Sequence, residues 1–126
     1  MQIRTIFLLT LLLTFIALFF HACKKENVND IQCNTTGWNP DSIRYSNTVS
    51  VIISQNCLGC HSSSIKKGRV ALDSYDNVKK YADNHKLLGA IGHLKGYKGM
   101  PRNANMLPQD KVCKIKFWID NGTLNN

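Results

Sequence analysis

Two thiols and an imidazole stand together at Cys57-Leu58-Gly59-Cys60-His61, and any fold for this chain must be built around them. The two intervening residues set both sulfurs on one side of a tight turn. There each can reach the edge of one porphyrin and form a thioether with a vinyl group. The next residue, His61, is then delivered to the iron as proximal ligand, because neutral imidazole binds haem iron well. Cys-x-x-Cys-His is the spacing used for covalent haem attachment. A Cys-x-x-Cys pair alone also suits half of a zinc site or a dithiol redox couple. A zinc site would want a second close pair of ligands, and none follows. A dithiol couple would want a βαβ context, whereas the flanks here read as helix and loop.

Haem iron takes a sixth ligand, and Met100-Pro101 offers one 39 residues after His61. A thioether is a soft ligand, and His/Met ligation raises the reduction potential. Pro101 stiffens the segment and removes a donor beside the sulfur. Gly96 and Gly99 mark a loop around Met100 rather than a core helix. Met106, one residue removed from Pro108, is the competing thioether; it also reads as an apolar anchor before the last helix. His85 and His93 would give a bis-His iron, or are surface or cap histidines.

With these residues and a closing amphipathic helix, the chain resembles the mono-haem class I cytochrome c family over approximately residues 41 to 122. It looks closest to small bacterial lipoprotein-type cytochromes, in which a Gly-Met-Pro loop leads to a helix of the form Ile-Lys-x-Trp-Ile-x-x-Gly. Here that stretch is Ile115-Lys116-Phe117-Trp118-Ile119-Asp120-Asn121-Gly122. The resemblance implies an all-α fold of about four helices around one covalently bound haem c. It puts the attachment on Cys57 and Cys60, the proximal ligand on His61 and the distal ligand on Met100. It also implies electron transfer as the activity, and a crossing of the first and last helices that brings Trp118 near Ile52 or Ile53. One departure is Pro108, where the family's last helix often begins with a Ser or Thr cap.

The N-terminus reads as targeting rather than fold. Arg4 precedes the apolar run Ile6 to Phe20, which is shorter than the ~20 residues of a transmembrane helix. Ala22-Cys23 looks like the end of a lipobox, so residues 1–22 form a lipoprotein-type signal peptide and Cys23 the lipid anchor. Phe20 and His21 depart from the usual lipobox; cleavage without lipid and an uncleaved anchor are the alternatives. Either way the domain is exported, facing the periplasm or the cell surface of a bacterial membrane. Residues 23–40 form a polar tether carrying Asn27, Asn29, Asp30, Asn34 and Asn39, and residues 41–126 form the domain. Of five cysteines, Cys23 goes to lipid and Cys57 and Cys60 go to haem. Cys33 and Cys113 remain and can pair as a disulfide, which an oxidising compartment allows. The alternative is two separate thiols, with Cys113 a small buried hydrophobe.

Four helical segments follow from the apolar period. The first runs from roughly 45 to 56, with Tyr45, Val49, Ile52 and Ile53 on one face. Val70 and Leu72 read as short extended positions. Asp73 or Ser74 caps a second helix to about Asp83, with Val78 and Ala82 inward. A third, about 84 to 94, buries Leu87, Leu88, Ile91 and Leu94. The last starts near Pro108, gains from Asp110 in its first turn and stops at Asn121-Gly122, with Val112, Ile115, Trp118 and Ile119 inward. Gly59, Gly89 and Gly92 permit close approach of neighbouring groups.

The formal net charge is +8, and from Lys66 to Arg102 nine basic residues face only Asp73, Asp76 and Asp83. A basic ring at a haem edge steers an acidic redox partner, whereas solvated helix faces account for such lysines without function. Arg69 or Arg102 can pair with a propionate. Nucleic acid is not an expected partner of an exported haem protein. No catalytic base, nucleophile or open substrate site is identifiable, so the chain reads as an electron carrier and not an enzyme. Two other classes remain open: a haem enzyme or sensor, peroxidase-like or gas-binding, with a labile sixth ligand, and an interaction module of a larger oxidoreductase.

Overall fold

The computed structural model describes Arg4, Ile6 and residues 27–126. The expected signal peptide and the lipid-anchor residue Cys23 therefore lie outside the described residues, apart from those two positions. Among the described residues the regular elements are all helical, and no helix is long and apolar enough to cross a membrane.

A π-helical turn, Tyr45–Val49, runs directly into helix α1, Ser50–Asn56. A single turn, α2, spans Leu58–His61. Helix α3 covers Tyr75–Asp83, α4 Lys86–Ile91 and α5 Gln109–Asp120. Four of the five fall within the segments read from the apolar period; α2 carries no such period, because one turn is too short to show it. Helix α3 starts where expected, at Ser74, whose hydroxyl accepts the Asn77 N–H at 3.3 Å.

Helix α4 is shorter than its apolar pattern. His85 enters it from a left-handed φ of 61°, Gly92 caps it, and His93 turns the chain away at φ 51°. Leu94 is consequently half-buried beyond the helix, packed against the core rather than enclosed in it. Helix α5 ends as the sequence suggests: Gly122 takes φ 91°, a left-handed position open to glycine.

The inward faces meet in one core. Val49, Ile52 and Ile53 pack with Val78, Ala82, Leu87, Leu88, Ile91, Val112, Ile115 and Trp118, all buried. Trp118 joins the same cluster as Ile52 and Ile53, but its ring contact is with Tyr45, at 5.7 Å between centroids. Tyr45 in turn meets Tyr75 edge-on at 5.0 Å. Three aromatic rings thus tie the π-turn, α3 and α5 at one point, a geometry that adds about 0.5–1.5 kcal/mol per pair beyond area burial.

The residues after α5 close over this point. Thr123 is buried, its carbonyl accepts from Tyr75 Oη at 2.7 Å, and its hydroxyl is held by Lys79 Nζ at 2.7 Å. The Trp118 indole N–H donates to Leu124 O at 2.8 Å. Asn126 accepts from the Tyr45 and Ser46 amides, which are otherwise unsatisfied at the start of the first helix.

The segment expected to be a tether packs on the domain from Val28 onward. Val28 is 5% exposed and belongs to the core. Trp38 meets the Phe117 ring of α5 edge-on at 6.0 Å, and Gln109 Nε2 donates to Gln32 O at 2.9 Å. The physical reason is that Val28, Ile31 and Trp38 are spaced among the polar residues widely enough to escape any period, yet each finds apolar surface. The Cys33 and Cys113 sulfurs lie at disulfide-bonding distance, 2.03 Å, joining this segment to α5.

Candidate functional site

Helix α1 delivers the Cys-x-x-Cys-His stretch. Its C-terminus is closed by Asn56, whose side-chain amide donates to Ile52 O at 2.7 Å, and by the Cys57 N–H on Ile53 O at 2.8 Å. The chain then re-enters helix for one turn. Both the Cys60 and the His61 N–H donate to Cys57 O, at 3.0 and 2.9 Å. That turn fixes Cys57 and Cys60 three residues apart on one helical face.

The two thiols are free and differ in environment: Cys57 is half-buried against the core and Cys60 is exposed. Burial pushes the Cys57 thiol up to about 11, so it remains a neutral thiol near pH 7. Gly59 between them is exposed, and a Cβ built on it would meet nothing within 4 Å. Its expected role in a close approach is therefore not observed, and the space beside the two-residue spacer is open.

His61 is half-buried, with Nδ1 at 3.3 Å from Val70 O. A carbonyl only accepts, so this contact puts the proton on Nδ1 and leaves the Nε2 lone pair available to a metal. The His61 carbonyl accepts the Leu72 N–H at 2.7 Å. The short extended stretch at Val70 and Leu72 thus grips His61 by ring and by backbone.

Between them runs a basic loop with Lys66, Gly68 and Arg69 at left-handed φ of 44°, 67° and 63°. Asp73 clamps its base, accepting from the Ser63 amide at 2.6 Å and the Ser63 hydroxyl at 2.7 Å. These hydrogen bonds hold the Asp73 carboxyl below its ordinary range. The clamp is therefore present above the unfolded carboxylate pKa and is lost as pH falls through the lowered value. No spacing in the sequence announced it.

Met100 stands on a separate element, the loop after α4. It is half-buried, its N–H donates to Ala90 O at 2.9 Å, and its carbonyl lies 3.1 Å from His93 Nε2. Gly89 is needed here: a Cβ on it would fall 2.5 Å from the Tyr97 ring. Gly92 likewise admits the Ile31 side chain, with Cδ1 2.9 Å from a built Cβ. Met106 is 38% exposed and does not serve as the apolar anchor of α5; Leu107 beside it, 6% exposed, does. His85 is an exposed residue at the α3–α4 junction.

Among the described residues, no group of three or more His, Cys, Asp or Glu converges as a metal site. Two surface hollows, of about 380 and 560 Å³, are lined around Cys33–Cys113 and around Trp38; neither is lined by Cys57, Cys60, His61 or Met100. Two free thiols and an imidazole lie within one turn, and the Met100 thioether stands on the separate loop after α4; these are donor types suited to covalent haem. Compared with models of protein families, with curated proteins and with solved structures, the chain finds no match.

Proposed function

We propose that this chain is a membrane-anchored mono-haem c-type cytochrome that carries single electrons. The observation that carries the reading is the one-turn placement of free Cys57 and Cys60, followed by His61 with Nδ1 on the Val70 carbonyl. Haem, when bound, supplies the one-electron iron couple. Cys57 and Cys60 would attach it by thioethers, and His61 Nε2 and the Met100 sulfur would ligate its iron. Cys57 and Leu58 pack against the apolar core, which gives the motif an apolar base. Lipid on Cys23 would hold the exported domain at the membrane surface.

The test is the optical spectrum of the mature protein. Wild type is expected to be six-coordinate and low spin, with a weak sulfur-to-iron(III) band in the far red. Met100→Ala is expected to lose that band, turn largely high spin and lower the reduction potential. Met106→Ala is expected to leave the spectrum unchanged. A wild-type spectrum that is already high spin would instead favour an enzyme or sensor with an open sixth position.

The partner proposed is a redox protein with an acidic docking surface. Lys66, Lys67, Arg69, Lys98 and Arg102 are exposed on the loop after the motif and the loop around Met100. Screening sets in at ~8 Å at physiological salt, so these charges act on encounter rate. Stopped-flow electron transfer to an acidic partner should slow as ionic strength rises. Lys67→Glu with Lys98→Glu should slow association on the order of tenfold at low salt, whereas reversing Lys24 and Lys25 should change it little. A rate flat with salt would reduce the basic residues to a solvated surface.

A further inference from the structure

We infer that His93 is a positioning residue that fixes the Met100 thioether, a role resting on the reading of Met100 as distal ligand. Met100 has two backbone polar groups, and both are tied. Its N–H donates to Ala90 O at 2.9 Å, and its carbonyl accepts from His93 Nε2 at 3.1 Å. The same Ala90 carbonyl also accepts the His93 N–H, at 3.2 Å. Ala90, His93 and Met100 therefore close a ring of three hydrogen bonds at the end of α4, and the eight residues from His93 to Met100 cannot open without breaking it.

Packing reinforces the ring. Gly99 lies so close to the imidazole that a Cβ on it would be 3.1 Å from His93 Cγ and Cδ2. Next to His93 the Leu94 N–H donates to Gly89 O at 3.0 Å, and in the middle of the loop Tyr97 lies over Gly89. The loop is thus held at its start, middle and end by α4, and His93 is the side chain that holds the ligand residue itself. Because Nε2 carries the proton given to the Met100 carbonyl, His93 in this arrangement does not offer Nε2 to iron. In this arrangement His93 holds the backbone of the methionine, and only its Nδ1 keeps a lone pair.

The consequence is kinetic and spectroscopic. A sulfur on a freely moving loop leaves the iron more often, so outside ligands enter faster. The experiment uses mature, haem-loaded protein and compares wild type, Met100→Ala, His93→Ala, His93→Gln and Gly99→Ala. Two quantities are read: the far-red sulfur-to-iron(III) band, and the rate of cyanide binding to the oxidised protein. Thermal unfolding of each variant is recorded alongside.

His93→Ala is expected to bind cyanide roughly tenfold faster, the effect of one lost hydrogen bond, with a weakened far-red band. His93→Gln, which keeps a side-chain N–H, is expected to return the rate to within about threefold of wild type. Gly99→Ala, which presses on the ring and leaves every donor in place, is expected to accelerate binding about threefold. It keeps the question answerable if His93→Ala fails to fold. A merely structural His93 would lower the unfolding temperature and leave cyanide binding and the band as in wild type; that result overturns the inference, as does failure of Gln to restore the rate. If Met100→Ala keeps the far-red band, the ligand reading itself is wrong. If His93→Ala, and not Met100→Ala, abolishes six-coordination, His93 is the ligand and the positioning role is excluded.

Discussion

Acid–acetone extraction of the mature protein is expected to leave the haem on the polypeptide, and the Cys57→Ala/Cys60→Ala double variant is expected to release all of it. Acid–acetone breaks the bonds between iron and its protein ligands, so ligation alone does not survive the treatment. Thioether bonds do survive. The single variants retain one bond each, so both should keep haem if it loads at all, with the α-band of the reduced spectrum displaced by the surviving vinyl group. The geometry makes a sharper statement about the two. Cys57 is half-buried against the core, and Cys60 is exposed. Cys57→Ala therefore also removes packing, and should lower thermal stability more than Cys60→Ala does. Haem that extracts freely from wild type would remove the basis of the proposed function.

The second large effect belongs to Cys33 and Cys113. Their bond spans a sequence separation of 80 residues. In the chain-entropy account a loop of that length is worth about 4–5 kcal/mol, and measured bonds often deliver less. Reduction, or Cys33→Ala with Cys113→Ala, is expected to lower Tm by about 10 °C or more. Each single variant should cost nearly as much as the double, because either one breaks the same bond. The loss should also free the segment from Val28 to Trp38, read as faster amide exchange there and over α5. Two additive single effects, or two cysteines that alkylate in native protein, would mean that no bond is present.

The apolar period marked α1, α3 and α5 well because each is long enough to repeat its inward face. Ser74 and Gly122 marked ends because capping and left-handed φ have residue preferences of their own. Helix α4 was overdrawn by the same logic: Leu94 continues the apolar period, but the chain has already left the helix at Gly92 and only half-buries that side chain. Met106 and Leu107 show a further limit. Two adjacent apolar residues before a helix look equivalent, and the approach of the chain to α5 decides that Leu107 turns inward.

What the residues alone determine about this protein is therefore local. Cys57, Cys60 and His61 lie within five consecutive positions, so one helical turn brings the thiols to one face and no distant contact is needed. The ligand chemistry of each side chain is intrinsic, and with Cys23 assigned to lipid and Cys57 and Cys60 to haem, Cys33 and Cys113 are the pair that remains. Tertiary structure decides the rest. The proton on His61 is assigned by the Val70 carbonyl, nine residues on, and the basic loop is closed by Ser63 on Asp73. Met100 is pinned by His93 and Ala90, and the polar stretch after Asn27 becomes part of the core through Val28. Each of these hydrogen bonds has on at least one side a backbone carbonyl or amide of the kind that nearly every residue carries. Residue identity cannot announce them, and only the path of the folded chain brings them within hydrogen-bonding reach.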